Sequence, residues 1–207
     1  MRVCLFILQI ILFPIALSEL TQTLHRRGPY LGGLRSRKLA IPYKPLTEKS
    51  QPKTQKELNA KGFRFAIVAS RWNDEIVSRL IDGARAALAE LHADSDAMGV
   101  FRVPGAFEIP LCAQKAAESG KFDAVICLGV IIRGDTPHFD YIAAAAARGI
   151  SEAGLRTGVP LLFGVITADN IGQANERSGD DRNNKGYEAA MAAVEVVNLY
   201  KKIFSSS

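Results

Sequence analysis

Cysteine and histidine are scarce in this sequence. Three cysteines occur in 207 residues, Cys4, Cys112 and Cys127, and none stands in CxxC spacing. Cys112 and Cys127 lie in apolar surroundings and read as reduced core thiols, not as a disulfide framework or a metal pair. The three histidines, His25, His92 and His138, lack ligand spacing, so no metal site is expected. Neither a GxxxxGK[ST] loop nor a GxGxxG fingerprint is present, which argues against the common nucleotide-binding folds. A basic body is missing too. The formal net charge is +5, but residues 1–60 hold ten Lys/Arg against three Asp/Glu, and residues 61–207 hold sixteen against eighteen. All the positive excess therefore sits in the first 60 residues, and the mildly acidic remainder is a poor partner for nucleic acid.

The first 60 residues read as an extension, with the folded domain over 61–207. Residues 3–17 are fifteen nearly unbroken apolar positions behind Arg2. That run is shorter than the roughly 20 residues of a membrane span, and it suits the core of a secretory signal with Ala16-Leu17-Ser18 as a cleavage site. Residues 21–56 then carry Arg26, Arg27, Arg35, Arg37 and Lys38 with Glu48 as the only acid, as in an organelle transit peptide or a disordered arm. Signal-like then transit-like is the order for import into a plastid bounded by extra membranes. The competing reading is a cytoplasmic protein whose start has been placed too far upstream. No stable membrane association of the body is expected in either case.

From residue 63 onward apolar runs alternate with helical periodicity. Strands are expected over 63–69, 98–103, 122–132 and 160–166, and helices over 74–91, 108–119, 138–157, about 170–178 and 185–203. Near-continuous apolar strands separated by helices predict a parallel sheet covered on both faces. Four such strands in about 145 residues give a three-layer α/β/α sandwich, flavodoxin-like, around a four-stranded parallel sheet. Ligands of open α/β sheets sit beyond the carboxyl ends of the strands. That singles out residues 70–74, 104–108, 131–138 and 167–170.

Each of these segments holds chemistry beside a plainer reading. Trp72, the only tryptophan, follows the first strand between Arg71 and Asn73. It is either a core residue or a rim aromatic able to stack on a flat ligand. Gly105 and Ala106 permit close backbone approach, and Glu108 begins a helix. Its carboxylate either satisfies the helix dipole or grips ligand hydroxyls or amines. An apolar strand then runs through Val130, Ile131 and Ile132 into Arg133-Gly134-Asp135-Thr136-Pro137-His138. Free N–H groups at the following helix start suit an anion such as phosphate. His138 there is either a surface side chain or a proton carrier, since imidazole exchanges protons near neutral pH. Arg177, in the charged stretch 175–186, has the fork that matches phosphate oxygens, though such runs are more often solvated faces.

Taken together, Arg71-Trp72-Asn73, Val103-Pro104-Gly105-Ala106-Phe107-Glu108-Ile109-Pro110, the 129–138 segment, Phe163-Gly164-Val165-Ile166-Thr167 and the 175–186 segment resemble the 6,7-dimethyl-8-ribityllumazine synthase family of riboflavin biosynthesis. The resemblance spans about residues 62–204 and leaves 1–60 uncovered. It implies condensation of 5-amino-6-(D-ribitylamino)uracil with 3,4-dihydroxy-2-butanone 4-phosphate, with no metal or organic cofactor. It implies proton transfer by His138 and phosphate contacts from Asp135, Thr136 and Arg177. It implies that Trp72 stacks on the pyrimidine, and that Ala106, Phe107 and Glu108 hold the ribityl chain and ring. Val130, Ile131 and Ile132 would line the pyrimidine pocket, Phe163 would come from a neighbouring subunit, and Lys185 would add a further substrate contact. Two positions depart from the frequent pattern: Trp72 where bacterial members usually have Phe, and Val130 where Thr is frequent.

The family's assemblies are homopentamers with active sites between subunits, some of them joined into 60-subunit icosahedral shells. The uninterrupted 177–185 segment is compatible with the shell. A non-catalytic flavin- or lumazine-binding member of the same fold, or a cage-forming one, is the alternative. Its weakness is that His138, Arg177 and Glu108 are all retained.

Overall fold

The computed structural model describes residues 58–180 and 182–205. The signal-like run and the basic arm expected within 1–57 lie outside the described residues. The body carries four strands, β1 (Phe65–Ser70), β2 (Met98–Val103), β3 (Ala124–Ile132) and β4 (Leu161–Ala168). Its helices are α1 (Asp74–Glu90), α2 (Ile109–Glu118), α3 (His138–Thr157), α4 (Ile171–Glu176) and α5 (Lys185–Ser205). All strand pairs are parallel, in the order β2-β1-β3-β4. The expected three-layer α/β architecture is therefore the observed one.

The two faces of the sheet follow from the period-2 alternation of strand side chains. Phe65, Ile67 and Ala69 of β1 and Ala124, Ile126, Leu128 and Val130 of β3 point to one core, closed by Ile76, Val77, Leu80 and Val194 of α1 and α5. Ala66, Val68, Val125, Cys127 and Ile131 point to the other, closed by Ile109 and Ala113 of α2 and Ile150 of α3. Both central strands are thus buried on both faces, as their unbroken apolar sequence requires.

Element ends differ from expectation where local hydrogen bonds decide. β1 starts at Phe65 and not at residue 63, because Phe63 N–H closes a turn onto Ala60 C=O at 3.1 Å. β4 runs to Ala168 and not to residue 166, because it stays paired with β3 through Ile132↔Ala168. The helix expected from residue 108 begins instead with a 3₁₀ turn, Ala106–Glu108, and becomes α-helical at Ile109, with Pro110 in the first turn where its missing N–H costs nothing. A further 3₁₀ turn, Ser95–Ala97, precedes β2 without a sequence signal.

Candidate active site

Trp72 stands at the rim and not in the core: 73% of its surface is exposed. The cause is the turn after β1. Asn73 takes a left-handed conformation, φ 56°, which Asn tolerates better than most residues, and α1 then begins at Asp74. Arg71 N–H donates to Val103 C=O at 2.8 Å. Arg102 donates to Ser70 C=O at 3.0 Å and pairs with Asp74. These bonds tie the turn to the end of β2. There, Gly105 N–H donates to Glu108 Oε2 at 2.9 Å. A Cβ at Gly105 would stand 3.1 Å from that oxygen and 3.6 Å from Trp72 Cδ1. The indole edge, the Gly105 backbone and the Glu108 carboxylate therefore share one surface. Ala106 is buried beneath it, while Phe107 and Glu108 are exposed.

The end of β3 borders this surface. Val130 and Ile131 are buried and send their side chains into opposite cores, and Ile132 is partly buried. β1 pairs with β3 only as far as Ala69↔Leu128, whereas β4 follows it to Ile132. Gly129 still faces Ser70, the last residue of β1, but residues 130–132 run past the end of β1, which leaves backbone on that side for a flat polar ligand. Asp135, Thr136 and His138 are exposed on the loop that follows, and His138 is the first residue of α3. In that first turn the Asp140 N–H donates to Pro137 C=O at 3.0 Å, while the N–H groups of His138 and Phe139 come too early in the helix for an i−4 partner. Phe139 and Ile142 pack on the core that contains Ala106 and Ile131, which brings α3's start beside the 106–108 turn.

Arg133 is engaged in this loop. Its Nε donates to Asp169 Oδ1 at 3.0 Å, and its terminal nitrogens reach both oxygens of Asp140 at 3.3 and 3.4 Å. Its guanidinium lies 4.1 Å from the Phe139 ring centroid. Asp169, and then Asp140, hold its proton more tightly than usual. With both carboxylates on it, Arg133 brings no surplus positive charge to a phosphate.

Phe163, Arg177 and Lys185 gather elsewhere. They line a groove of about 490 Å³ between the β4 edge and α5, with Thr167 and Glu188. Lys185 pairs with Glu188, and its N–H donates to Arg177 C=O at 2.9 Å. The 177–185 segment is anchored on α1. Asn184 Nδ2 donates to Arg79 C=O at 3.0 Å and Gly179 C=O at 2.8 Å, while its Oδ1 accepts from Gly186 N–H at 2.8 Å. Arg79 in turn donates to Ser178 C=O at 3.2 Å and Asn175 Oδ1 at 2.6 Å.

The candidate residues therefore form two clusters and not one. Phe163 lies opposite Cys127 on β3, four residues before the Ile131↔Thr167 level. At about 3.3 Å per residue that is about 13 Å below that level. β3 also separates β4 from β1. Sequence order gave no sign of this division, nor of Glu188 beside Lys185 or of Asp140 and Asp169 around Arg133. The i,i+3 spacing of Lys185 and Glu188 was the one available hint.

A sequence profile of the 6,7-dimethyl-8-ribityllumazine synthase family matches residues 62–201. The chain is 54% identical over 150 residues to the 6,7-dimethyl-8-ribityllumazine synthase of Syntrophus aciditrophicus (strain SB), covering 72% of this chain and 97% of that protein. It is 52% identical over 146 residues to the enzyme of the same name from Chlorobium chlorochromatii (strain CaD3), covering 70% and 94%. The corresponding protein of Chloroherpeton thalassium (strain ATCC 35110 / GB-78) is 53% identical over 146 residues, covering 70% and 94%.

Proposed function

This chain belongs to the 6,7-dimethyl-8-ribityllumazine synthase family, and from that premise we propose that it condenses 5-amino-6-(D-ribitylamino)uracil with 3,4-dihydroxy-2-butanone 4-phosphate, at a site completed by a second copy of the chain. It is an enzyme of riboflavin biosynthesis acting on small molecules. In the proposed reaction the 5-amino group attacks the ketone and water leaves as the imine forms. Phosphate is then eliminated, and the ribitylamino nitrogen closes the ring with loss of a second water. Both substrates are reactive already, so the main contribution is to hold amine and ketone together and remove the entropic part of the barrier.

The roles follow the two clusters. Trp72 stacks on the pyrimidine, Glu108 grips ribityl hydroxyls beside Ala106 and Phe107, and the β3 end at Val130, Ile131 and Ile132 meets the ring edge. His138 moves protons during phosphate loss. Asp135, Thr136 and the first-turn N–H groups of α3 approach the phosphate, but Asp135 repels it, and Arg133 is already paired with Asp169 and Asp140. The cation is supplied by Arg177. Because Arg177 and Lys185 share their groove with Phe163, all three come together from the neighbouring subunit. The observation that carries this reading is the meeting of Trp72, Gly105 and Glu108 on one surface beside the start of α3. Exposed Leu111, Tyr141 and Leu155 support a subunit contact over the α2–α3 face.

The assembly we propose is a homopentamer, with a 60-subunit shell open to it. For residues 1–60 we propose a plastid presequence, with a cytoplasmic enzyme as the competing reading. Residues 1–60 fused to a fluorescent protein separate the two by where the fluorescence collects. Activity is tested by following lumazine fluorescence with the full-length chain and both substrates, against the uncatalysed background. His138→Ala should slow turnover without abolishing it. No acceleration from folded wild-type protein would turn the reading toward a flavin-binding member, with riboflavin quenching of Trp72 as the next measurement.

A further inference from the structure

Arg133 joins the end of β3 to the end of β4 and to the first turn of α3. Its backbone N–H donates to Ala168 C=O at 2.9 Å, fastening the end of β3 to the end of β4. Its Nε reaches Asp169, just beyond β4, and its terminal nitrogens reach Asp140, in the first turn of α3. The Phe139 ring lies under the guanidinium. Asp140 and Phe139 follow His138 directly in that same turn. The four residues between Arg133 and His138 include Gly134, where a Cβ would meet open space. The guanidinium therefore adds a polar tether from the first turn of α3 to the sheet, beside the apolar contacts that Phe139 and Ile142 make with the core. Exposed ion pairs are individually weak, but here a planar fork engages two carboxylates and a ring face at once, a geometry that Lys does not reproduce.

We propose that Arg133 is a positioning residue of the synthase reaction: it clamps the first turn of α3 to the ends of β3 and β4 and so sets where His138 stands against the reacting atoms. This rests on the lumazine synthase reading. It assigns Arg133 no contact with phosphate, because two carboxylates already occupy it. The proposal separates sharply from the alternative of a direct phosphate ligand. Removing the carboxylates would free a phosphate ligand and improve sugar-phosphate binding, whereas it would loosen a clamp and slow turnover.

The test measures kcat and KM for both substrates on the full-length wild type, Arg133→Ala, Arg133→Lys, Asp140→Asn with Asp169→Asn, His138→Ala, and Arg133→Ala with His138→Ala. Oligomer size and circular dichroism establish that each variant is folded. Misplacing a catalytic group by about 1 Å costs up to about a hundredfold, so Arg133→Ala is expected to lower kcat by at least about tenfold, with KM for the butanone phosphate little changed. Arg133→Lys should not restore it, and the double Asn variant should lower kcat in the same way. In the His138→Ala background, Arg133→Ala should cost nothing further, since its effect passes through the imidazole. A full additional loss in that background would overturn the proposal and leave a structural role. So would an unchanged kcat with a raised KM for the butanone phosphate alone, or tighter sugar-phosphate binding in the double Asn variant. If Arg133→Ala does not fold, Arg133→Lys and the double Asn variant decide by the same criteria. Wild type without acceleration would instead refute the synthase reading itself, and the proposal with it.

Discussion

The backbone N–H of Lys185 donates to the carbonyl of Arg177 at 2.9 Å, closing the 177–185 segment so that both cations face one groove with Phe163. Arg177→Ala removes the charge while leaving this backbone bond intact. A lost hydrogen bond to a charged group is worth about 2 kcal/mol, or about thirtyfold in affinity. Steady-state kinetics should show that increase in KM for the butanone phosphate, with KM for the pyrimidine substrate nearly unchanged. Equal increases in both would contradict the assignment.

Trp72 presents its indole to solvent beside Gly105 and Glu108, and a wider aromatic surface stacks more strongly on a flat heterocycle. Trp72→Phe should weaken riboflavin binding by about threefold to tenfold, corresponding to about 1 kcal/mol. Titration calorimetry giving the same affinity for both proteins would remove Trp72 as the stacking residue.

Gly186 allows α5 to press on α1: a Cβ there would fall 1.8 Å from the Leu80 carbonyl oxygen. Gly186→Ala must therefore push the two helices apart, disturbing Asn184 and with it the Arg177–Lys185 segment. Overpacking of this kind costs about 1–3 kcal/mol. Denaturant unfolding should show that loss, and KM for the butanone phosphate should rise as well. A variant of wild-type stability would mean that α1 and α5 are not in close contact at this point.

Much of the fold was legible because its determinants are local. β1 and β3 are buried on both faces, so their sequences are apolar without interruption, and Pro104-Gly105 and Pro110 punctuate the chain where β2 ends and α2 starts. The strand-end cluster was legible for the same reason, since Trp72, Glu108 and His138 each lie in the segment that joins a strand to the next helix. The division of the site was expected from the family resemblance, which placed Phe163 on a neighbouring subunit, and not from the spacing of the residues. Nothing in spacing says that Phe163 lies on an edge strand level with Cys127, or that the segment carrying Arg177 and Lys185 folds onto α1 through Asn184. Arg133 was visible as a charge at a strand end, but its carboxylates lie 7 and 36 residues away. Only the sheet order brings the farther one to it.

The thiols offer a test of the core. Burial, with Cys112 nearby, pushes the Cys127 thiol far up, and burial raises Cys112 less strongly. Both should resist alkylation by iodoacetamide in native protein, Cys127 more completely, and react quickly in denaturant. In the unfolded chain thiols ionise near about pH 8.5. Above that pH the unfolded state loses protons that the folded state keeps. Their contribution to stability is therefore complete below about pH 8.5 and declines as pH rises toward the folded values. Rapid native labelling of Cys127 would contradict the packing of β3.

The proposed division of the site between two copies of the chain is tested most directly by complementation. His138→Ala spoils the strand-end cluster and Arg177→Ala spoils the β4–α5 groove, each leaving the other intact. Co-refolded in equal amounts, the two variants should form mixed oligomers in which about one quarter of the interfaces join two intact halves by random assortment. With the butanone phosphate held well below its wild-type KM, where both variants are slow, the account predicts lumazine formation by the mixture well above the mean of the two variants alone, approaching about a quarter of wild type. Mixed oligomers with no gain over that mean would contradict it, since each chain would then carry its complete site by itself.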